Sequence, residues 1–152
     1  MDVSKLSMGQ RIAAGAGVLL FIDLFLDWYS AGNDAFSVSI NAWDVFSWVD
    51  LLCAATAIVA VLVAVQAMGM VNIPAPLSTI LLPLAGITTL IVLYRLINQP
   101  GPNSLVSNEF GAYLGFLLAA ITTWGALQAQ GDAPAPPTTT SAPPPAAPPP
   151  AV

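Results

Sequence analysis

Four stretches of the chain, 12–29, 49–70, 77–97 and 110–128, run almost without polar residues, and short polar segments separate them. Each is close to the roughly 20 residues an α-helix needs to cross about 30 Å of hydrocarbon. Unbonded backbone amides are not tolerated in lipid, so the pattern predicts four membrane-crossing helices. The ends of the runs carry matching signals. "SMGQ" reads as a capping box, with Ser7 accepting from the backbone and Gln10 reaching back. "NAWD" repeats that arrangement with Asn41 and Asp44, which predicts a helix starting near Ala42, ahead of the membrane. Just before it, "AFSVSI" alternates apolar and polar side chains and predicts a short extended segment across the loop. Pro74 and Pro76 suit the opening turn of the third helix, and Pro100 and Pro102 suit its exit. Pro83 falls inside that helix and predicts a kink.

The first run also has features of a signal peptide, with Lys5 and Arg11 ahead of the apolar "IAAGAGVLLFI". Its apolar character continues past Asp23 to Trp28 and Tyr29, however. The most obvious small-residue cleavage point, after Ala31, would leave bulky Tyr29 close before the cut. The run is therefore read as a retained span. From Gly131 the pattern breaks: "GDAPAPPTTTSAPPPAAPPPAV" holds nine of the fourteen prolines and no bulky aliphatic residue before the terminal valine. Such a segment cannot bury a core, and it predicts a disordered tail with polyproline II bias. The expected organisation is an all-α transmembrane four-helix bundle over 1–130 and a Pro/Ala/Thr-rich tail over 131–152. The tail would be a solvated spacer or a docking segment for a partner.

Composition narrows the function. The 152 residues are 57% hydrophobic and 7% charged, where soluble domains carry about 25% charge. Eight acids face only Lys5, Arg11 and Arg95, a net charge of -5, and three cations cannot neutralise a nucleic-acid backbone. Histidine is absent and Cys53 is the single cysteine. The usual zinc, haem and iron–sulfur ligand sets, an intrachain disulfide and the His-based catalytic pairs are thereby excluded. Cys53, inside "LLCAATAIVA", reads as a small apolar packing residue. No catalytic, metal or cofactor residues are expected, and the chain is read as non-enzymatic.

Lys5 and Arg11 precede the first span, while the only other cation, Arg95, lies at the far end of the third. The positive-inside rule then puts both termini in the cytoplasm of a multi-pass plasma-membrane protein. Trp28, Tyr29, Trp43, Trp48, Tyr94 and Tyr113 map to the outer boundary, as interfacial rings do. So do Asp23, Asp27, Asp34, Asp44, Asp50 and Glu109, together with Arg95. Asp23 and Asp27 are spaced i,i+4 on the predicted first helix, and Arg95 sits at a matching depth on the third. A guanidinium between two stacked carboxylates would satisfy all three groups, so Asp23, Asp27 and Arg95 form the candidate polar cluster. Packing is signalled by Gly111, Gly115 and Ala119 on one face of the last helix, and by Ala57, Ala60, Ala64 and Ala67 on the second. Ala13 and Gly17 do the same on the first. Small faces let membrane helices approach closely, within one chain or between copies.

At "NAWDVFSWVDLL", "LIVLYRLINQPG" and "GAYLGFLLAA" the sequence resembles small four-span integral membrane proteins, mostly of actinobacterial type, that carry no assigned function. Trp28 and Tyr29 match their aromatic pair, Asn41 to Trp43 the opening of the second helix, and Tyr94 to Ile97 with Pro100 and Gly101 the end of the third. The resemblance covers roughly 7–128. Asp27 departs from it, since similar proteins usually have proline there. What it implies is architecture without chemistry. The function expected from the sequence is a structural, scaffold or accessory subunit. Its contacts would be membrane lipid, a membrane-protein partner or a second copy, and a partner for the proline-rich tail. The alternative is a transporter or channel component with Asp23, Asp27 and Arg95 along a polar path.

Overall fold

The computed structural model describes residues 3–33, 36–45, 48–101 and 106–131. It is mostly helical. A 3₁₀ turn (Val3–Lys5) leads into α1 (Met8–Asp23), followed by strands β1 (Asp27–Asn33) and β2 (Phe36–Asn41) and the single-turn helix α2 (Ala42–Val45). The long helices α3 (Trp48–Ala67) and α4 (Leu77–Ile97) come next, then β3 (Val106–Asn108) and α5 (Phe110–Gly131). Among the described residues, α3, α4 and α5 are long and apolar enough to cross a membrane. The expected tail lies outside the described residues from 132 onward, and so do Asp34 and Pro102.

Local chemistry sets most boundaries. Ser7 and Gln10 form the expected capping box at the start of α1, with Ser7 N donating to Gln10 Oε1 at 3.0 Å and Gln10 N to Ser7 Oγ at 3.3 Å. Asn41 Oδ1 accepts from Asp44 N at 2.9 Å and opens α2 at Ala42. At the end of α3, Gly69 takes φ +74°. Its N–H then reaches Gln66 O while that of Met70 reaches Val65 O, closing a Schellman turn. Pro76 caps α4, and Pro83 lies inside it.

The first run departs from expectation. The helix stops at Asp23, six residues short of Tyr29, and Leu24 to Leu26 turn the chain with short-range bonds to Leu20, Ile22 and Asp23 carbonyls. Trp28 and Tyr29 belong to β1. This strand pairs antiparallel with β2 on one side and β3 on the other, giving the order β2-β1-β3. Hydrophobicity alone cannot separate the last turns of a helix from a short buried strand; here sheet pairing won. The register slips between Asp27 and Tyr29, so Trp28 is the extra residue of a β-bulge. That bulge buries two consecutive side chains, Trp28 and Tyr29, which regular strand alternation would send to opposite faces.

Helix α1 packs on α3 and α5, and α4 packs on the same two helices from the other side. The sheet closes one end, because β1 and β2 come from the connection after α1 and β3 from the connection after α4. A cluster of Leu24, Trp28, Tyr29, Val49, Cys53 and Val92 fills this capped end. A second cluster, including Ala13, Ala60, Val63, Leu77 and Leu81, fills the other end. Along α1, α3 and α5 the buried positions are mainly Gly, Ala and Thr. Many large apolar residues, such as Val18, Phe21, Ile58, Ile87, Leu90, Leu117 and Leu127, are exposed.

Candidate functional site at the capped end

The capped end is built around Trp28. Its indole Nε1 donates to the Asp23 carbonyl at 3.0 Å, and its own carbonyl accepts from Glu109 N at 2.9 Å. The ring lies over α5 where Gly111 and Gly115 leave room for it. A Cβ on Gly111 would come within 2.7 Å of Trp28 Cδ1, and one on Gly115 within 2.5 Å of Trp28 Cζ2. The expected packing stripe is thus used within the chain. Gly111 and Gly115 seat Trp28, and Ala119 is fully buried beside Leu20 and Leu118.

Asp23 ends α1 beneath that ring. It is 1% exposed, and neither carboxylate oxygen has a hydrogen-bond partner. Its Oδ2 lies 2.7 Å from where a Cβ on Gly115 would stand. Asp50, in the first turn of α3, is also buried and is well placed for the positive end of that helix's dipole. Cys53, one turn on, lies within electrostatic range of both acids. Tyr29 has its pKa pushed up to about 12, chiefly by burial; the nearby Arg95 charge opposes the shift and Asp50 adds to it. The phenol therefore stays neutral at physiological pH.

The expected cluster of Asp23, Asp27 and Arg95 does not assemble. With the helix ending at Asp23, Asp27 is no longer a turn above it on one face; it sits at the start of β1 with its side chain exposed. Arg95 is half-buried in the last turn of α4, close to Tyr29, and makes no hydrogen bond to the Asp23 carboxylate. The expected aromatic rim also divides. Trp48, Tyr94 and Tyr113 are exposed, while Trp28 and Tyr29 are buried under the sheet and Trp43 is partly buried.

Sequence reasoning missed a second set of polar groups, the threonines midway along the helices. Thr56 and Thr88 meet at 2.7 Å between α3 and α4, and Thr89 and Thr123 at 2.9 Å between α4 and α5. Each also bonds the carbonyl four residues back in its own helix, as does buried Thr122. Thr56 and Thr88 share two protons among three close contacts, so one contact at a time lacks a hydrogen. The signal available was the pair of doublets in "ITTLIV" and "ITTWGA". Among the described residues no group of three His, Cys, Asp or Glu side chains is placed to hold a metal ion.

No family model matches the chain, and no curated protein or solved structure matches it. The geometry of the capped end brings together a sealed carboxyl at Asp23, a neutral phenol at Tyr29, the Cys53 thiol and a tightly seated indole at Trp28.

Proposed function

We propose that the chain is a small integral membrane protein with a four-helix transmembrane bundle, acting as a non-enzymatic structural, scaffold or accessory subunit. The observation that carries this is the inverted distribution of side-chain size. Small residues face inward on α1, α3 and α5, while large apolar residues cover the outside of all four long helices. Water-soluble folds do not expose apolar surface on this scale, and close contact through small residues is how helices associate in lipid. Helix α1 spans about 24 Å at 1.5 Å per residue, and exposed Phe25 and Leu26 extend its apolar surface beyond Asp23. On this reading the sheet faces outward and the termini are cytoplasmic. The proline-rich tail is then free to reach a partner on that side. The polar-path alternative has less support, since Asp27 is exposed and Arg95 makes no hydrogen bond to Asp23.

Cysteine labelling in a Cys53→Ser background tests the topology. Asp44→Cys, on exposed surface beside the sheet, should react with an impermeant maleimide in intact cells, and Ser141→Cys only after permeabilisation. The reverse pattern would invert the orientation. Labelling of both sites in a protein released by alkaline carbonate would refute membrane integration. Ion flux through liposomes holding only the purified chain would replace the accessory reading with transport.

A further inference from the structure

We propose that Asp23 is a proton-binding site, its carboxyl held as a neutral acid inside the helix packing at neutral pH. Three observations lead there. The side chain is 1% exposed, and neither oxygen has a hydrogen-bond partner. The carboxyl is closed in by Trp28 and by the Gly115 position of α5, where Oδ2 and the indole crowd the same space. A buried carboxylate needs a paired cation or several donors, and without them it is relieved by taking up a proton.

The charged surroundings offer no substitute. On α1 itself the nearest ionisable group is Arg11, twelve residues away at the other end of the helix. From β1 come exposed Asp27 and the neutral phenol of Tyr29; from α3 come Asp50 and the thiol of Cys53. At this level α5 presents Gly115, with Glu109 just ahead of its first turn and Tyr113 exposed. Helix α4 brings Arg95, the one cation at the capped end, and it does not bond Asp23. Among the described residues no group of three His, Cys, Asp or Glu side chains is placed to hold a metal ion, and the ligand assigned to this site is a proton. Burial of Asp23 comes from contacts within the chain, so the assignment goes beyond the proposed membrane role and does not depend on it.

Infrared spectroscopy of the full-length protein in lipid bilayers tests this directly. With carbon-13 carboxyl-labelled aspartate, the wild type at neutral pH should show the carbonyl stretch of a neutral carboxylic acid, shifted in heavy water. The band should vanish in Asp23→Asn, persist in Asp27→Asn, Asp50→Asn and Arg95→Leu, and fade as the pH is raised. Carboxylate stretches alone at neutral pH, or a neutral-acid band that survives Asp23→Asn, would overturn the proposal. Should Asp23→Asn fail to fold, Asp50→Asn decides: a surviving band supports Asp23, and its loss assigns the proton to Asp50. A chain that is monodisperse without detergent would defeat the membrane reading, while the band would still report on Asp23.

Discussion

Two seams hold the helices together, and they do so by different means. Along α1 the contact is backbone against backbone. A Cβ on Gly125 would stand 2.6 Å from Ala13 N and 2.9 Å from Gly9 O, and one on Gly17 would stand 3.3 Å from Ala57 O. Along α4 the contact runs through side chains, with Thr56 against Thr88, Thr89 against Thr123, and Leu81 and Val92 buried beside them. On the proposed membrane reading the hydrophobic effect does little to join helices, so close packing and hydrogen bonds must supply the association. The α1 seam has no slack, because the atoms in contact are main chain. The α4 seam has a fallback, because every threonine hydroxyl can return to the carbonyl four residues back.

The sharpest way to break this contrast is to add one methyl group to the α1 seam. Gly125→Ala should destabilise by about 3 kcal/mol, the upper part of the range for overpacking, since neither helix backbone can step aside. Gly15→Ala and Gly86→Ala, where an added Cβ meets nothing within 4 Å, should instead stabilise by about 0.5–1 kcal/mol through helix propensity. Unfolding in detergent micelles measures all three. Equal effects at Gly125 and Gly15 would mean that the seam is not closed in solution.

Gly115→Ala comes next, at about 2 kcal/mol, because its Cβ would meet the Trp28 ring and the Asp23 carboxylate rather than backbone. Side chains can give way, so Trp28→Leu should absorb part of the cost. The double variant is expected to lose less stability than the two single losses combined. Strict additivity would show that Trp28 does not sit over Gly115.

These differences also explain what could be read from the chain. Ser7, Gln10, Asn41 and Asp44 act within four residues of one another, and the apolar runs of α3, α4 and α5 report their surroundings position by position. Both were legible. The end of α1 was not, since "FIDLFLDWYS" is equally apolar as helix or strand, and β1 is decided by pairing with Phe36–Asn41 and with Val106–Asn108, far along the chain. The cluster of Asp23, Asp27 and Arg95 failed for that reason, its spacing having assumed a helix through Asp27. The threonine pairs were overlooked because a hydroxyl inside an apolar run resembles a minor interruption until the facing helix supplies another.

On the α4 seam the expected losses are smaller. Thr56→Val and Thr88→Val should each cost about 0.6 kcal/mol, the usual size of a side-chain hydrogen bond between membrane helices. Each substitution leaves the remaining hydroxyl its own carbonyl, so the double variant should lose little more than either single one. A loss well above 2 kcal/mol for either variant would make the hydroxyl pair the main support of the seam and erase the contrast with α1.

The smallest effect is expected at Arg95, and it separates the two accounts of the capped end. If the guanidinium were clamped between Asp23 and Asp27, Arg95→Leu would orphan a buried charge at a cost of about 3–5 kcal/mol, and Asp23→Leu would restore much of it. The structure leaves Asp23 without that bond and Asp27 exposed, so removing Arg95 deprives neither carboxyl of a partner. Arg95→Leu should therefore shift stability by less than about 0.5 kcal/mol, in the range of a side chain outside the tightly packed core. Combined with Asp23→Leu, its effect should add within about 0.5 kcal/mol, as expected of groups that share no bond. Rescue of a large Arg95→Leu loss by Asp23→Leu would restore the ion pair, and with it a charged Asp23 in place of a protonated one.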